Sequence, residues 1–316
     1  MNNLYICMTL YHIFYTILRL NETDNNHLIL MEPIENREEL KHLLVETGLF
    51  DKVSLLEEID EKFVYTEDIM SLCWKEYFKN FNDIFLFNDS NIMGDYIHYH
   101  GILYRLLDDG RDSYLARGSY HKNYLKRIKR YFMNRYCNRK HPWGFSPYCK
   151  SIEVNNKMIL EQDKRWNKYI EVPFQQLIEN ASNIKIRALT KVFPMPIIND
   201  TSRKKLLLLT QPLYESRGAF SILRKITSLD KQLEFYKSVI ESYKDNYDIY
   251  IKPHPRDNCD YSSLDGIIIN KAFPIELIEY ISTIEFDIGI TYFSTSLANL
   301  SCVKEKIMLV ELRKVY

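Results

Sequence analysis

The chain has 316 residues, of which 46% are hydrophobic and 27% charged, and its 42 basic side chains equal its 42 acidic ones. Two α/β domains of about 150 residues each fit this length, and the hydrophobic content excludes a generally disordered chain. The formal net charge of zero gives no indication of a nucleic-acid partner. The six cysteines are scattered without a Cys-x-x-Cys pair, so they indicate neither a zinc site nor a disulfide framework.

Apolar, strand-like runs alternate with helical patterns in the first half of the chain. Strands are predicted at residues 4–8, 27–31, 52–55, 84–88 and 102–107, and helices at 11–20 and 35–46. This alternation predicts a Rossmann-like domain with a parallel sheet. Thr9, Tyr11 and His12 follow the first strand and could line a cleft, although an exposed helix start explains them more simply.

Two carboxylates and a glycine follow the strand predicted at 102–107, namely Asp108, Asp109 and Gly110. Adjacent carboxylates repel each other, which favours proton acceptance by one of them in a partly dry site. The glycine permits a tight exit from the strand. A helix N-cap, or a cation site that includes Asp112, would explain the same residues.

Residues 113–152 contain ten lysines and arginines and no acidic residue. Apolar and aromatic side chains recur there at steps of three to four, which predicts a basic amphipathic helix. Three interpretations remain open: a solvated helix, a docking patch for an anionic membrane or charged glycolipid, and a nucleic-acid surface.

The second half repeats the alternation of strands and helices. Strands are predicted at residues 205–210, 248–252, 266–270, 287–291 and 306–311, with a helix at 230–243. Two prolines and a polar exit place a linker near residues 193–200. We therefore predict an α/β protein of two Rossmann-like, doubly wound domains, comprising residues 1–195 and 196–316.

A histidine lies between two prolines directly after one of these strands, in the run Lys252, Pro253, His254, Pro255 and Arg256. The prolines fix φ and prevent a helix from starting, so the imidazole has a defined direction. The two flanking cations suit an anionic ligand such as phosphate, whereas the simpler alternative is a solvated turn. The same dipeptide before Trp143 follows no apolar strand, and we interpret it as part of a loop.

Three hydroxyl residues, Ser294, Thr295 and Ser296, lie between the strand predicted at 287–291 and a predicted helix. Helix N–H groups and hydroxyl donors together would form an anion site, while ordinary N-capping needs only one hydroxyl. Gln211 follows the strand predicted at 205–210 and could also face an anionic ligand.

In this order, the Asp-Asp-Gly, Lys-Pro-His-Pro-Arg and Phe-Ser-Thr-Ser motifs resemble bacterial sialyltransferases of glycosyltransferase family 52, which act on lipooligosaccharides and capsular polysaccharides. Pro274 and Glu276 are similar to the family's Pro-x-Glu element. The resemblance covers residues 106–110 and most of 205–311, whereas 113–200 match no known pattern. It implies a GT-B arrangement, in which an acceptor-side domain and a donor domain face each other across a cleft.

The resemblance also implies an inverting, metal-independent transfer of sialic acid from CMP-sialic acid to a galactose-terminated lipooligosaccharide or capsular repeat. Asp109 corresponds to the catalytic base, and Asp108 and Gly110 to its turn, although Asp108 remains the alternative base. His254 corresponds to the donor toward the departing phosphate. The remaining donor-site candidates are Lys252, Pro253, Arg256, Glu276, Ser294, Thr295, Ser296 and Gln211, with Glu276 accepting from ribose hydroxyls. No cofactor or metal is expected.

No signal peptide and no apolar run of about 20 residues is visible, which predicts a cytoplasmic protein. A lipid-linked acceptor would suit peripheral contact of residues 117–150 with the inner face of the membrane, and the chain could form a homodimer. Two alternatives remain. One is a GT-B enzyme or capsule polymerase that uses another nucleotide sugar, and the other is a noncatalytic module that binds membrane or RNA.

Overall fold

The computed structural model describes residues 1–32, 34–56, 69–109, 143–161, 163–193, 196–198, 201–215, 226–292, 294 and 296–309. The chain divides into two compact units, Met1–Val192 and Phe193–Tyr316. Each unit contains its own parallel β-sheet.

The first unit has seven parallel strands in the order β3-β2-β1-β4-β5-β6-β7. The strands are β1 (Asn2–Cys7), β2 (Asn25–Met31), β3 (Lys52–Leu56), β4 (Asp83–Leu86), β5 (Tyr104–Leu106), β6 (Cys149–Val154) and β7 (Tyr169–Glu171). The helices are α1 (Leu10–Arg19), α2 (Arg37–Glu46), α3 (Ile69–Phe78), α4 (Ile92–Tyr99), α5 (Phe174–Glu179) and α6 (Asn183–Val192).

The central strands of this sheet are almost wholly buried, as expected for a parallel sheet covered on both faces. Strand order reverses between β1 and β4, and loops that leave the carboxyl ends of strands at such a point commonly form ligand sites. Every strand predicted in this half overlaps an observed one. Strands β6 and β7 and helices α3 to α6 were not predicted.

The second unit has five parallel strands in the order β10-β9-β8-β11-β12. They are β8 (Lys204–Leu209), β9 (Tyr247–Lys252), β10 (Ile267–Ile268), β11 (Phe286–Thr291) and β12 (Val303–Met308). The helices are α7 (Leu229–Glu241), α8 (Ile278–Ile281) and α9 (Ser296–Asn299).

The four leucines of β8 are buried at the centre of this sheet, and strand order reverses between β8 and β11. The two units thus confirm the predicted α/β class with Rossmann-like sheets. Strand β10 is shorter than predicted, and β12 begins earlier, at Val303. Across the described part of the chain, no helix combines the length and apolar character needed to cross a bilayer.

Candidate active site

The two carboxylates after β5 have different surroundings. Asp108 is 3% exposed and accepts the backbone N–H of Asn155, which follows β6, at 3.0 Å. Asp109 is 17% exposed and lines a cavity at the carboxyl ends of β4 and β5. Asp108 therefore fixes the turn to the neighbouring strand, and Asp109 is the carboxylate that a ligand can reach. Gly110 and Asp112 lie outside the described residues.

His12 lies against Asp109, with 2.8 Å between its Nε2 atom and Asp109 Oδ1. Its Nδ1 atom accepts the backbone N–H of Met8 at 3.1 Å, so Nδ1 has no proton and Nε2 carries one. The imidazole also stacks on Phe87, with 4.1 Å between ring centroids and 5° between planes. His12 is thus a hydrogen-bond donor to Asp109, and both of its nitrogens are engaged.

The expectation that His12 is exposed was wrong, because its side chain is only 3% exposed. The N-cap of this helix is Thr9, whose hydroxyl accepts the backbone N–H of His12 at 3.2 Å. Helix α1 begins directly after β1, and this turns His12 toward the loops that follow β4 and β5. The available signal was its position immediately after the first strand of the sheet.

The cavity beside Asp109 is lined by polar and aromatic side chains from separate loops. Phe87 and Asn88 follow β4, and Trp143 and Arg165 come from the segments before β6 and β7. Asn88 Nδ2 lies 3.4 Å from Asp109 Oδ2, at the long end of hydrogen-bond distances. The cavity therefore combines one accessible carboxylate with an amide donor and aromatic surface. The space inside it is about that of one water molecule, so it can admit a hydroxyl group of a sugar but not the ring.

In the second unit, the carboxyl ends of β8, β9 and β11 bring Gln211, His254 and Ser294 to one edge of the sheet. His254 begins a tight turn that is closed by the Asp257 N–H donating to the His254 carbonyl at 2.9 Å. Proline at the second position favours such a turn. The imidazole thus leaves the sheet edge in a fixed direction, as its two prolines predicted.

His254 is a neutral hydrogen-bond donor. Its Nδ1 atom accepts the backbone N–H of Arg256 at 3.1 Å, so Nε2 carries the proton. Burial, assisted by the positive charges of Arg256 and Lys252, lowers the pKa of His254 to about 4. At neutral pH an Nε2–H group is therefore available to an anion without a buried positive charge on the ring.

Lys252 is 5% exposed, and its ammonium group donates to the carbonyls of Pro253 at 2.6 Å and Lys271 at 3.0 Å. Burial lowers the pKa of Lys252 to about 8, and the negative charge of Glu276 opposes this shift. In this conformation Lys252 binds backbone carbonyls, so it connects the His254 loop to the segment before Glu276. Glu276 is half-buried in a one-turn 3₁₀ helix that follows Pro274.

A buried carboxylate anchors the His254 loop. Asp257, 3% exposed, accepts hydrogen bonds from Tyr261 Oη at 2.6 Å, Gln232 Nε2 at 2.9 Å and Thr210 Oγ1 at 3.0 Å. These donors come from the end of β8, from α7 and from the loop itself. Sequence reasoning assigned no role to Asp257, although an acidic residue at the end of a cationic run was a signal for it.

Ser294 caps the following helix, since its hydroxyl accepts the backbone N–H of Ser296 at 3.3 Å. Helix α9 is a single turn of four residues, so its dipole adds little to an anion site. Thr295 lies outside the described residues. The backbone of Gln211 is fixed by Tyr236, whose hydroxyl accepts the Gln211 N–H at 2.7 Å.

The sequence profile of glycosyltransferase family 52 matches residues 23–314, nearly the whole chain. The chain belongs to this family. Its membership of glycosyltransferase family 52 confirms the resemblance seen in its motifs.

A Haemophilus influenzae protein described as uncharacterized is 35% identical to this chain over 103 residues. The matched stretch covers 32% of this chain and 30% of the relative, so it spans under a third of that protein. A crystal structure from Listeria monocytogenes, assigned as a UDP-N-acetylglucosamine 2-epimerase, aligns with a TM-score of 0.50 at 10% identity. It covers 93% of this chain and 74% of the other, and the likeness is one of fold alone.

The predicted site residues of this chain therefore form two sets. In the first unit, Asp109 is joined by His12 and Asn88 around a cavity. In the second unit, the neutral donor His254 shares a sheet edge with Ser294. The basic run predicted at 117–150 lies almost entirely outside the described residues.

Proposed function

We propose that this glycosyltransferase transfers sialic acid from CMP-sialic acid to a hydroxyl of a cell-surface glycan, with inversion and without a metal ion. Membership of family 52 supports the reaction class. The observation that carries the proposal is the contact between His12 and Asp109, which holds an accessible carboxylate at the cavity where an acceptor hydroxyl would lose its proton. A galactose-terminated lipooligosaccharide or capsular repeat is the proposed acceptor.

The donor end of the reaction requires stabilisation of a departing phosphate. The anomeric carbon of sialic acid is tertiary and bears a carboxylate, so loss of CMP proceeds through an oxocarbenium-like transition state. His254 donates its Nε2–H to the phosphate as negative charge develops there, and an approaching phosphate increases the proton affinity of the ring. Ser294 and Thr295 add hydroxyl donors, and Gln211, Arg256 and Ser296 complete the donor site.

Some donor-site candidates act through the loop. Lys252 and Pro253 fix the path of the backbone that carries His254, because the Lys252 ammonium spans the carbonyls of Pro253 and Lys271. Glu276 accepts hydrogen bonds from the ribose hydroxyls of CMP.

At the acceptor end, Asp109 takes the proton of the attacking hydroxyl. The new bond joins the acceptor oxygen to the anomeric carbon while the bond from that carbon to the phosphate oxygen breaks. CMP leaves with the electron pair, and attack from the opposite face inverts the configuration. His12 remains a donor to Asp109 throughout, because its Nδ1 atom is occupied by the Met8 N–H. Asp108 and Gly110 shape the turn that presents Asp109.

Hydrolysis of CMP-sialic acid in the absence of acceptor tests the donor assignment. The protein should release CMP from this donor and leave UDP- and GDP-sugars intact. Asp109→Asn should lower transfer about 100-fold or more with CMP affinity retained, because a general base contributes about 10²–10⁴-fold. His254→Ala should weaken CMP binding and slow both hydrolysis and transfer. Turnover of a UDP- or GDP-sugar instead of CMP-sialic acid would overturn the proposal.

A lipid-linked acceptor would bring the enzyme to the inner face of the membrane, and we propose that the basic run at 117–150 contacts anionic lipid there. Each cation near such a surface contributes about 1 kcal/mol, and salt weakens the attraction. Replacing Lys126, Arg127, Lys129 and Arg130 with Gln should reduce cosedimentation with phosphatidylserine vesicles. Unchanged sedimentation would show that the run is only a solvated face.

A further inference from the structure

Trp143 has an unusual backbone conformation, with a φ of 64°. This left-handed region is uncommon for residues other than glycine, and a large side chain found there is commonly held by its surroundings at a binding site. Trp143 is half-buried and lines the same cavity as Asp109.

Two buried charged side chains hold this conformation. The Trp143 N–H donates to the carboxylate of Asp89, and the guanidinium of Arg165 donates to the Trp143 carbonyl. Asp89 is 2% exposed and also accepts the Tyr104 hydroxyl at 2.6 Å. Arg165 is 4% exposed and pairs with Asp163 at 2.6 Å. Both peptide groups of Trp143 are therefore fixed by groups that are themselves immobilised.

Gly144 continues the same tight turn with a φ of 75° and donates its N–H to Asp89 at 2.9 Å. A Cβ atom at this position would lie 2.3 Å from Ile152 Cδ1, so the backbone is pressed against the side chains of β6. The turn thus has little freedom to move, and it presents the Trp143 ring to the cavity. A surface loop without a binding role would not require a tryptophan in the left-handed conformation that is held by two buried charged side chains.

We propose that Trp143 is the platform on which the acceptor sugar stacks. The face of the indole offers polarisable apolar surface to the C–H groups on one side of a hexopyranose, while Asp109 and Asn88 in the same cavity receive its hydroxyls. This inference rests on the proposed function, since Asp109 is taken as the base. Acceptor recognition is thereby assigned to Trp143, which directly follows the His-Pro dipeptide that the sequence predicts to lie in a loop.

Trp143→Gly removes the ring and inserts the residue best suited to a positive φ, so the fold should be retained. With lactose as acceptor, we expect the KM for lactose to rise about tenfold or more, and further than the KM for CMP-sialic acid. Trp143→Phe should recover most of the loss, because it keeps an aromatic face. Trp166→Phe is the matched control, since that ring of the same unit faces Lys157 at 4.5 Å and is not part of the cavity lining.

Tryptophan fluorescence gives a readout that does not depend on turnover. Lactose should shift the emission of the parent and of Trp166→Phe, and this shift should be lost in Trp143→Phe. If Trp143→Gly lowers the melting temperature, Trp143→Asn takes its place, since Asn also tolerates this conformation. A parental KM for lactose in the Gly or Asn variant, with transfer intact, would refute the platform and leave the proposed function standing. Failure of the parent to use CMP-sialic acid would refute the proposed function itself.

Discussion

Two substitutions of His12 separate its two hydrogen bonds. In His12→Asn, the amide oxygen can take the place of Nδ1 and accept the Met8 N–H, but the side chain is too short to reach Asp109. In His12→Gln, the amide nitrogen can take the place of Nε2 and donate to Asp109, while the acceptor for Met8 is lost. Both variants lose the stacking on Phe87. A difference between them therefore reports their hydrogen bonds and not the lost packing.

The magnitude follows from two opposing effects of the 2.8 Å contact. A hydrogen bond to a charged group contributes about 1.5–3 kcal/mol. If half of this stabilisation disappears in the transition state as Asp109 becomes neutral, a variant that lacks the bond would transfer the proton only about fivefold faster than the parent. Loss of orientation lowers the rate, because a misaligned carboxylate loses part of the general-base contribution of about 10²–10⁴-fold. Asn88 Nδ2, at 3.4 Å from the carboxylate, holds it less tightly than His12 does. We therefore expect kcat to fall by about tenfold or more in His12→Asn.

The assay is transfer from CMP-sialic acid to lactose, measured from pH 5 to pH 9 with melting temperatures for each variant. In His12→Asn, kcat should fall while the KM for lactose stays close to the parental value, because the carboxylate is misoriented but the acceptor contacts remain. His12→Gln should keep a higher kcat than His12→Asn. An equal kcat in His12→Asn and the parent would refute the assigned role of His12.

Three further predictions concern the metal, the phosphate site and the loop anchor. Transfer should survive excess EDTA, and a complete loss that magnesium or manganese restores would make Asp109 a metal ligand instead of a base. A bound phosphate should raise the pKa of His254 from about 4, so CMP binding takes up a proton and the affinity ratio of parent to His254→Gln should grow as the pH falls from 7 to 5; calorimetry showing a constant ratio would contradict this. Asp257→Ala should lower the free energy of unfolding in urea by about 3 kcal/mol or more, because it leaves several buried donors unpaired, whereas the exposed control Asp260→Ala should change it by less than about 1 kcal/mol.

The sequence was most informative where a buried strand ends in polar residues. The four leucines at the end of β8 and the apolar run of β9 could form only buried strands of a parallel sheet, so the positions of Gln211 and His254 at strand ends could be predicted. Strand β7 has three residues and lies at the edge of its sheet, and so short a segment carries no reliable periodic pattern.

Contacts between distant loops could not be predicted in the same way. His12 and Asp109 are 97 residues apart, and they meet because β4 lies between β1 and β5 in the sheet. Hydrophobic periodicity identifies strands without giving their lateral order, so it could not bring these loops together. The left-handed backbone of Trp143 was equally hidden, since it is held by Asp89 and Arg165 from other parts of the chain.

The two sheets share one strand order, with a reversal between β1 and β4 in the first unit and between β8 and β11 in the second. In the first unit the candidate residues follow β1, β4 and β5, and in the second unit they follow β8, β9 and β11, the strands at or next to this reversal. The chemistry differs because the first unit presents a carboxylate oriented by a neutral imidazole, and the second presents a neutral imidazole as a donor. A carboxylate can accept a proton but repels phosphate, whereas a neutral N–H donor attracts phosphate without first taking a proton. Under the proposed mechanism, deprotonation of the acceptor would therefore belong to the first unit and stabilisation of the leaving phosphate to the second.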